Sequence, residues 1–255
     1  MPAPDFPALL EQVIPCVRQA GDAVMEVHRT EFSAWEKVDD SPVTLADQRA
    51  EALLVPALRC LLPDTPVVAE EAVCAGDVPV VGDRFWLVDP LDGTKEFINR
   101  NGEFTVNVAL VESGVAILGV VLAPALGQLF AGAIGCGAFM EADGRRAALA
   151  CREAPSAGLT VVASRSHGDP DALAKFLDGR KLAGIRNAGS SLKLCLVASG
   201  QADLYPRLGR TMEWDIAAGH AILAAAGGTV CTLDGSPLRY GKPGFANPHF
   251  MAMGR

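Results

Sequence analysis

The chain has 255 residues, half of them apolar and 20% charged, with a formal net charge of −8. That balance excludes a disordered polar chain and predicts a sizeable core, mostly Ala, Val and Leu because aromatics make up only 6%. It also argues against a duplex-DNA binder, whose affinity comes from Lys and Arg neutralising phosphates, but leaves room for a small anion held by a few local cations or by metal.

Residues 6–30 predict an amphipathic helix with Leu9, Leu10, Val13, Val17, Ala20, Val24 and Val27 on one stripe and Pro15 as a potential kink. Lys37 to Pro42 reads as a hairpin or loop. Thr44, with Asp47 three residues on, opens a second helix to about Leu62 in capping-box fashion. Pro66 to Ala69 is a short strand ending at Glu70-Glu71. Phe85 to Val88 is an apolar strand that stops at Asp89, and Lys95-Glu96-Phe97 begins a short helix. Residues 104–111, 115–122 and 128–134 read as consecutive sheet strands. Val161 to Ala163 is a further strand, followed by a loop from Ser164 to His167 and a helix at 170–178. A helix from Ser190 to Ser199, a strand from Ala202 to Tyr205, a helix from Asp215 to Ala226 and a strand from Thr229 to Cys231 complete the chain. No repeat or linker interrupts it. Strands in the middle with helices outside predict a layered α/β fold in two packed halves forming one compact unit, residues 1–150 and 151–255.

The seven cysteines form no C-x-x-C pair and lie mostly in apolar runs, so they read as buried free thiols in a reducing compartment. The first residues lack the pattern of a signal peptide, and no apolar stretch has the length of a membrane span. A cytoplasmic protein is expected. Peripheral contact with the inner membrane, and the choice between monomer and homodimer, stay open.

The strongest local signal is Asp89-Pro90-Leu91-Asp92-Gly93-Thr94. A strand delivers two carboxylates onto a turn stiffened by Pro90, where the Leu91 carbonyl adds a third oxygen and Gly93 admits close backbone approach. Oxygen-only ligation with a bridging phosphate suits Mg²⁺, and the amides of Gly93 and Thr94 suit a phosphate. Glu70-Glu71, Asp215 and Asp47 are further acidic residues at element ends. Each alone is equally a turn former, a helix cap or a solvated charge. Together they fit one oxygen-lined cavity.

Glu70-Glu71, the segment from Trp86 to Thr94, and Glu213-Trp214-Asp215 resemble the three signatures of the inositol monophosphatase superfamily. Asp92 to Phe97, Gly102 to Asn107, Gly189 to Lys193 and Ala202 to Arg207 resemble its CysQ branch, the 3′(2′),5′-bisphosphate nucleotidases. The resemblance implies an α-β-α-β-α sandwich and Mg²⁺ dependence with two or three ions per site and inhibition by Li⁺. It implies that Glu70, Asp89 and the Leu91 carbonyl hold one ion, and that Asp89, Asp92 and Asp215 hold a second. It assigns Asp47 and Thr94, assisted by Glu70, to the attacking water, and leaves Glu71 outside the ligand set.

For the substrate, Arg207 stands near where inositol phosphatases of the superfamily carry a sugar-binding acid, so the exchange favours an anion. Lys193 and Ser190 are expected to join it at a second phosphate, with Gly93, Thr94 and Asp215 at the first and His167 against the nucleotide. The implied activity is removal of the 3′-phosphate of adenosine 3′,5′-bisphosphate, with 3′-phosphoadenylyl sulfate as a second substrate, in sulfate assimilation. An inositol-1-phosphate or sugar-bisphosphate phosphatase and a nucleotide-sensing binding protein are the alternatives.

Overall fold

The computed structural model describes residues 5–31, 34–36, 42–165 and 169–255. The chain opens with α1 (Phe6–His28), whose Asp5 side chain caps the Ala8 amide and whose buried stripe runs from Leu9 to Val27. Pro15 is accommodated inside the helix without ending it. Two three-residue strands, β1 (Ala34–Glu36) and β2 (Pro42–Thr44), pair antiparallel. The connection between them lies outside the described residues. Thr44 then caps α2 (Leu45–Leu61), as the sequence predicts.

α1 and α2 pack side by side over one face of a seven-stranded sheet. Its strands, in spatial and chain order, are β3 (Val67–Ala69), β4 (Arg84–Asp92), β5 (Thr105–Glu112), β6 (Val115–Ala123), β7 (Gln128–Ala133), β8 (Gly137–Ala142) and β9 (Arg145–Leu149). Only β3 and β4 run parallel. Trp86, Val88, Val108 and Leu110 face the α1–α2 layer, and Phe85, Leu87, Ala109 and Val111 face the opposite side. Burial on both faces is why these strands read as unbroken apolar runs rather than as alternating patterns.

Two short helices follow strand ends in this half: α3 (Glu70–Cys74) after β3, and α4 (Thr94–Ile98) after β4. The second sheet has the order β11-β10-β12-β14-β13, built from β10 (Leu159–Ser164), β11 (Leu182–Ala188), β12 (Leu204–Arg207), β13 (Thr229–Thr232) and β14 (Phe250–Met253). Between the sheets lie α6 (Leu192–Ala198) and α7 (Glu213–Ala225), while α5 (Pro170–Leu177) covers the far face through Leu173, Phe176 and Leu177. The layers are therefore α-β-α-β-α, the expected fold. Helix α7 approaches the first sheet so closely that a Cβ on Gly119 of β6 would stand 2.2 Å from the Ala218 carbonyl oxygen.

Three readings change. The strand expected to stop at Asp89 continues to Asp92. Asp89 pairs with Asn107 and Asp92 with Thr105, so β4 carries one extra residue there. This is a bulge, where Pro90's missing amide breaks no ladder bond. The hairpin of β8 and β9 and the strands β11 and β14 have no counterpart in the sequence reading. Only Cys151 and Cys195 are buried, while Cys60, Cys74 and Cys136 are exposed, although all seven are free thiols.

Candidate active site

A cleft of about 430 Å³ opens where strand ends of the first sheet meet the starts of α6 and α7. Glu70, Asp89, Leu91, Asp92, Gly93, Thr94, Ser190, Lys193, Arg207 and Asp215 all line it. Each arrives by a local cause. Because β3 runs parallel to β4, with Ala69 beside Val88, Glu70 and Asp89 emerge at the same sheet edge. The bulge carries the chain from Asp89 to Asp92, and the Leu91 amide donates to Asp89 Oδ1 at 3.0 Å. Gly93, at φ 87°, turns the chain into α4, and a Cβ there would stand 2.1 Å from Ser190 Oγ. Asp215 is the third residue of α7, where its Oδ2 accepts the Met212 amide at 2.9 Å, rather than the cap itself.

Asp47 occupies the same position in α2. Its Oδ2 accepts from the Thr44 amide at 2.8 Å and from Thr44 Oγ1 at 2.7 Å. Its Oδ1 lies 3.5 Å from Thr94 Oγ1, which is also 3.3 Å from the Leu91 carbonyl oxygen. The helix cap and the expected water-activating pair are thus one arrangement.

The electrostatics are those of like charges gathered out of water. Burial, followed by the charges of Glu70, Asp92 and Asp215, pushes the Asp89 carboxyl well above its ordinary range. Burial does the same for Asp215, with Asp92 and Glu70 adding to it. Asp92 is pushed up to about 6 by burial, against the opposing charge of Lys193. Such a group must either take up protons or meet a cation. Carboxylates and one backbone carbonyl, with no sulfur or imidazole, are donors suited to Mg²⁺. The side chains converge on one cleft without closing into a ligand cluster: among the described residues, no three His, Cys, Asp or Glu are drawn together tightly enough to hold an ion.

Two cations line the same cleft. Lys193 is buried, its Nζ donating to the Ser190 carbonyl at 2.5 Å, and burial pushes its ammonium down to about 8 despite Asp92 nearby. Arg207, at the end of β12, is 9% exposed and donates to the Arg210 carbonyl at 2.6 Å. Its Nε is buried without a partner among the described residues. Ser190, expected to donate to a phosphate, has its hydroxyl 2.8 Å from the carbonyls of both Asp92 and Glu103. His167 lies outside the described residues.

Three residues without a role in the sequence reading shape the site. Asn107 Nδ2 donates to Ser191 Oγ at 3.0 Å and toward Asp92 Oδ2 at 3.4 Å, and Ser191 Oγ in turn donates to the Asp215 carbonyl. This chain joins the Asp92 turn to the start of α7. Glu51 of α2 accepts the amides of Glu71 and Ala72 at 2.8 and 2.9 Å, fixing the first turn of α3 and with it Glu70. Glu71 itself lines a separate surface groove beside Glu51, outside the cleft.

Residues 8–252 match the inositol monophosphatase family. The 3′(2′),5′-bisphosphate nucleotidase CysQ of Salmonella typhimurium is 49% identical over 245 residues, covering 95% of this chain and 98% of that one. The enzyme of the same name from Escherichia coli K12 is 47% identical with the same coverage. Among solved structures, CysQ from Bacteroides thetaiotaomicron superposes with a TM-score of 0.83 at 37% identity, covering 98% of each chain. A Thermotoga maritima IMPase superposes with a TM-score of 0.76 at 30% identity, covering 96% of this chain and 91% of that one. The chain belongs to the inositol monophosphatase family.

Proposed function

We propose that this protein is a Mg²⁺-dependent 3′(2′),5′-bisphosphate nucleotidase that hydrolyses the 3′-phosphate of adenosine 3′,5′-bisphosphate to AMP and phosphate. 3′-Phosphoadenylyl sulfate, which carries the same ester, is the second substrate, and the reaction clears the by-product of sulfate activation. The observation that carries this reading is one cleft lined by Glu70, Asp89, Asp92 and Asp215 and also by Lys193 and Arg207. The acidic set suits cations at the scissile phosphate. A neutral polyol would have no use for two buried cations, whereas a second phosphate would. The unpartnered Arg207 Nε is a donor waiting for such an acceptor. The nucleotidases of high identity support the same choice.

In this reading Glu70, Asp89 and the Leu91 carbonyl would hold one Mg²⁺, and Asp89, Asp92 and Asp215, closing on the ion from the walls of the cleft, would hold a second, with room for a third in the same cleft. Bound there, Mg²⁺ neutralises phosphoryl charge, eases deprotonation of the attacking water and stabilises the leaving oxygen. Thr94 Oγ1 orients the water and Asp47 Oδ1 takes its proton, assisted by Glu70. Gly93 leaves room for the phosphoryl group. Arg207 and Lys193 clamp the 5′-phosphate, and Ser190 sets the position of Lys193 through its carbonyl.

The two sheets support a division into residues 1–150 and 151–255. They support equally a single unit, because α7 of the second half packs on the first sheet. Seven free thiols support a cytoplasmic site. No helix of the described residues is long and apolar enough to cross a membrane.

The test is phosphate release with Mg²⁺ from adenosine 3′,5′-bisphosphate, inositol 1-phosphate and fructose 1,6-bisphosphate, with and without Li⁺. The nucleotide is expected to have the highest kcat/KM, and Li⁺ to inhibit. Arg207→Ala should raise KM for the nucleotide about tenfold or more, the loss of a charged hydrogen bond, and far less for a simple monophosphate. Preference for inositol 1-phosphate would favour a sugar phosphatase, and nucleotide binding without turnover would favour a sensor.

A further inference from the structure

Two segments, Gly102 to Asn107 and the loop after β10, contribute residues that the proposed chemistry does not use. The structure joins them. Glu103 Oε2 accepts Arg165 Nε at 2.8 Å and Oε1 accepts Arg165 Nη2 at 2.9 Å, a two-pronged pair. The same Oε2 accepts the Gly189 amide at 2.8 Å, and the Glu103 carbonyl oxygen lies 2.8 Å from Ser190 Oγ. Arg165 is tied to the second sheet as well, through Nη2 to the Asn187 carbonyl at 3.3 Å and through its amide to the Ala188 carbonyl at 3.3 Å.

The docking is close enough to dictate residue type on both sides. A Cβ on Gly189 would stand 2.5 Å from the Glu103 carbonyl oxygen, and one on Gly93 would stand 2.1 Å from Ser190 Oγ. Ser190 is held at φ 47°, a left-handed conformation that a serine adopts only when its surroundings enforce it. Its carbonyl is the acceptor for Lys193 Nζ. The Glu103 carboxylate therefore holds Gly189, the residue that leads into the turn from which Lys193 reaches the cleft, while the main-chain carbonyls of Glu103 and Asp92 hold the Ser190 hydroxyl.

We propose that Glu103, braced by Arg165, is a positioning residue that docks the Gly189–Lys193 turn of the second half onto the Asp92–Gly93 turn of the first, and so sets affinity for the second phosphate of the substrate. The inference rests on the nucleotidase reading for its substrate but on geometry alone for the docking. Arg165 acts through Glu103 and is not itself a phosphate ligand. Glu103 is not among the residues that line the cleft.

The test compares KM for adenosine 3′,5′-bisphosphate with KM for p-nitrophenyl phosphate, which has no second phosphate, in the full-length Mg²⁺-loaded protein. Glu103→Ala is expected to raise the ratio of the two about tenfold, the effect of losing a charge-assisted hydrogen bond. Arg165→Met should raise it about threefold, and the double variant no more than Glu103→Ala alone, because the two act in series. Glu103→Gln, whose single oxygen can still accept the Gly189 amide, should recover most of the loss. Amide hydrogen exchange of residues 189–193 should quicken in Glu103→Ala while the central strands keep their protection. Equal rises in both KM values would make Glu103 merely structural. A larger effect in Arg165→Met than in Glu103→Ala would make Arg165 a direct ligand. Either result overturns the proposal. If the native protein fails to hydrolyse the bisphosphate, the nucleotidase reading falls. The exchange experiment then decides the docking by itself, and unchanged exchange at residues 189–193 refutes it.

Discussion

Gly119 lies at a close contact between the first sheet and α7, and replacing it tests whether fold and site are one mechanical unit. A Cβ there would meet the Ala218 carbonyl oxygen at 2.2 Å, its carbonyl carbon at 2.8 Å and its Cα at 2.9 Å. Comfortable contact is about 3.5 Å, so helix and strand must part by about 1 Å, and the obstacle is helix backbone rather than a side chain that can swing away. Overpacking of this kind costs about 1–3 kcal/mol, with about 0.5–1 kcal/mol returned because Ala suits a strand better than Gly. The expected net loss is about 1 kcal/mol. Ala218 lies one turn beyond Asp215, so the displacement reaches the carboxylate set, whose geometry tolerates only about 0.5 Å. Gly119→Ala should lose that stability in urea unfolding and also need more Mg²⁺ for half-maximal phosphate release. Gly132→Ala is the control. Its Cβ would meet α7 near the far end, at 3.1 Å from Ala225 Cβ and 3.2 Å from Ile222 Cα, and it should leave the Mg²⁺ requirement unchanged. Stability within about 0.5 kcal/mol of the native protein, or an unchanged Mg²⁺ requirement in Gly119→Ala, would refute the reasoning.

Asp92→Asn should abolish turnover yet melt no lower than the native protein in metal-free buffer, because it removes one of several mutually repelling carboxylates. Substantial residual Mg²⁺-dependent activity would remove Asp92 from the ligand set. Asp203 carries a pH prediction within the second half. It accepts Arg152 Nε at 2.7 Å, Arg152 Nη2 at 2.8 Å and the Thr160 amide at 2.7 Å. Burial pushes its carboxyl up, but Arg152 and the amide outweigh burial and hold it below 3.8. A depressed folded value favours the folded state above the unfolded value and loses that effect as pH falls through the folded one. The stability gap between the native protein and Asp203→Asn should therefore be full at pH 5–7, about 1–2 kcal/mol, and should shrink below pH 4. A gap that widens on acidification would contradict the sign.

Much of the architecture was legible because burial writes itself into local pattern. The stripe from Leu9 to Val27 and the Thr44–Asp47 capping box gave α1 and the start of α2. The apolar runs at 104–111 and 115–122 gave the central strands to within a residue or two. The β8–β9 hairpin had a signal that went unread, Asp143-Gly144, whose φ values of 51° and 70° are those a tight hairpin turn demands. β11 had none, because its residues from Leu182 to Asn187 are exposed and no side alternates. The bulge at Pro90 was hidden for a different reason. Pro usually ends a strand, and only pairing with β5 shows that one extra residue is absorbed.

The acidic set was visible because Glu70, Asp92 and Asp215 sit at or next to element ends and Asp89 sits at the proline bulge of β4, positions marked by their own neighbours in the chain. The supports were not. Asn107 meets Ser191 across 84 residues and Glu103 meets Gly189 across 86, and no local pattern encodes a contact of that span. Ser190 shows the limit most clearly. A serine before a helix reads as a free donor, yet the fold directs its hydroxyl to two carbonyls.

The account rests on divalent cations meeting Glu70, Asp89, Asp92 and Asp215 in one cleft, and anomalous diffraction from a crystal soaked in Mn²⁺ tests this most directly. The account predicts anomalous peaks bounded by those four carboxylates and the Leu91 carbonyl, with Asp89 shared between two of them. A fully soaked crystal whose anomalous peaks all lie elsewhere, with the four carboxylates apart, would contradict it.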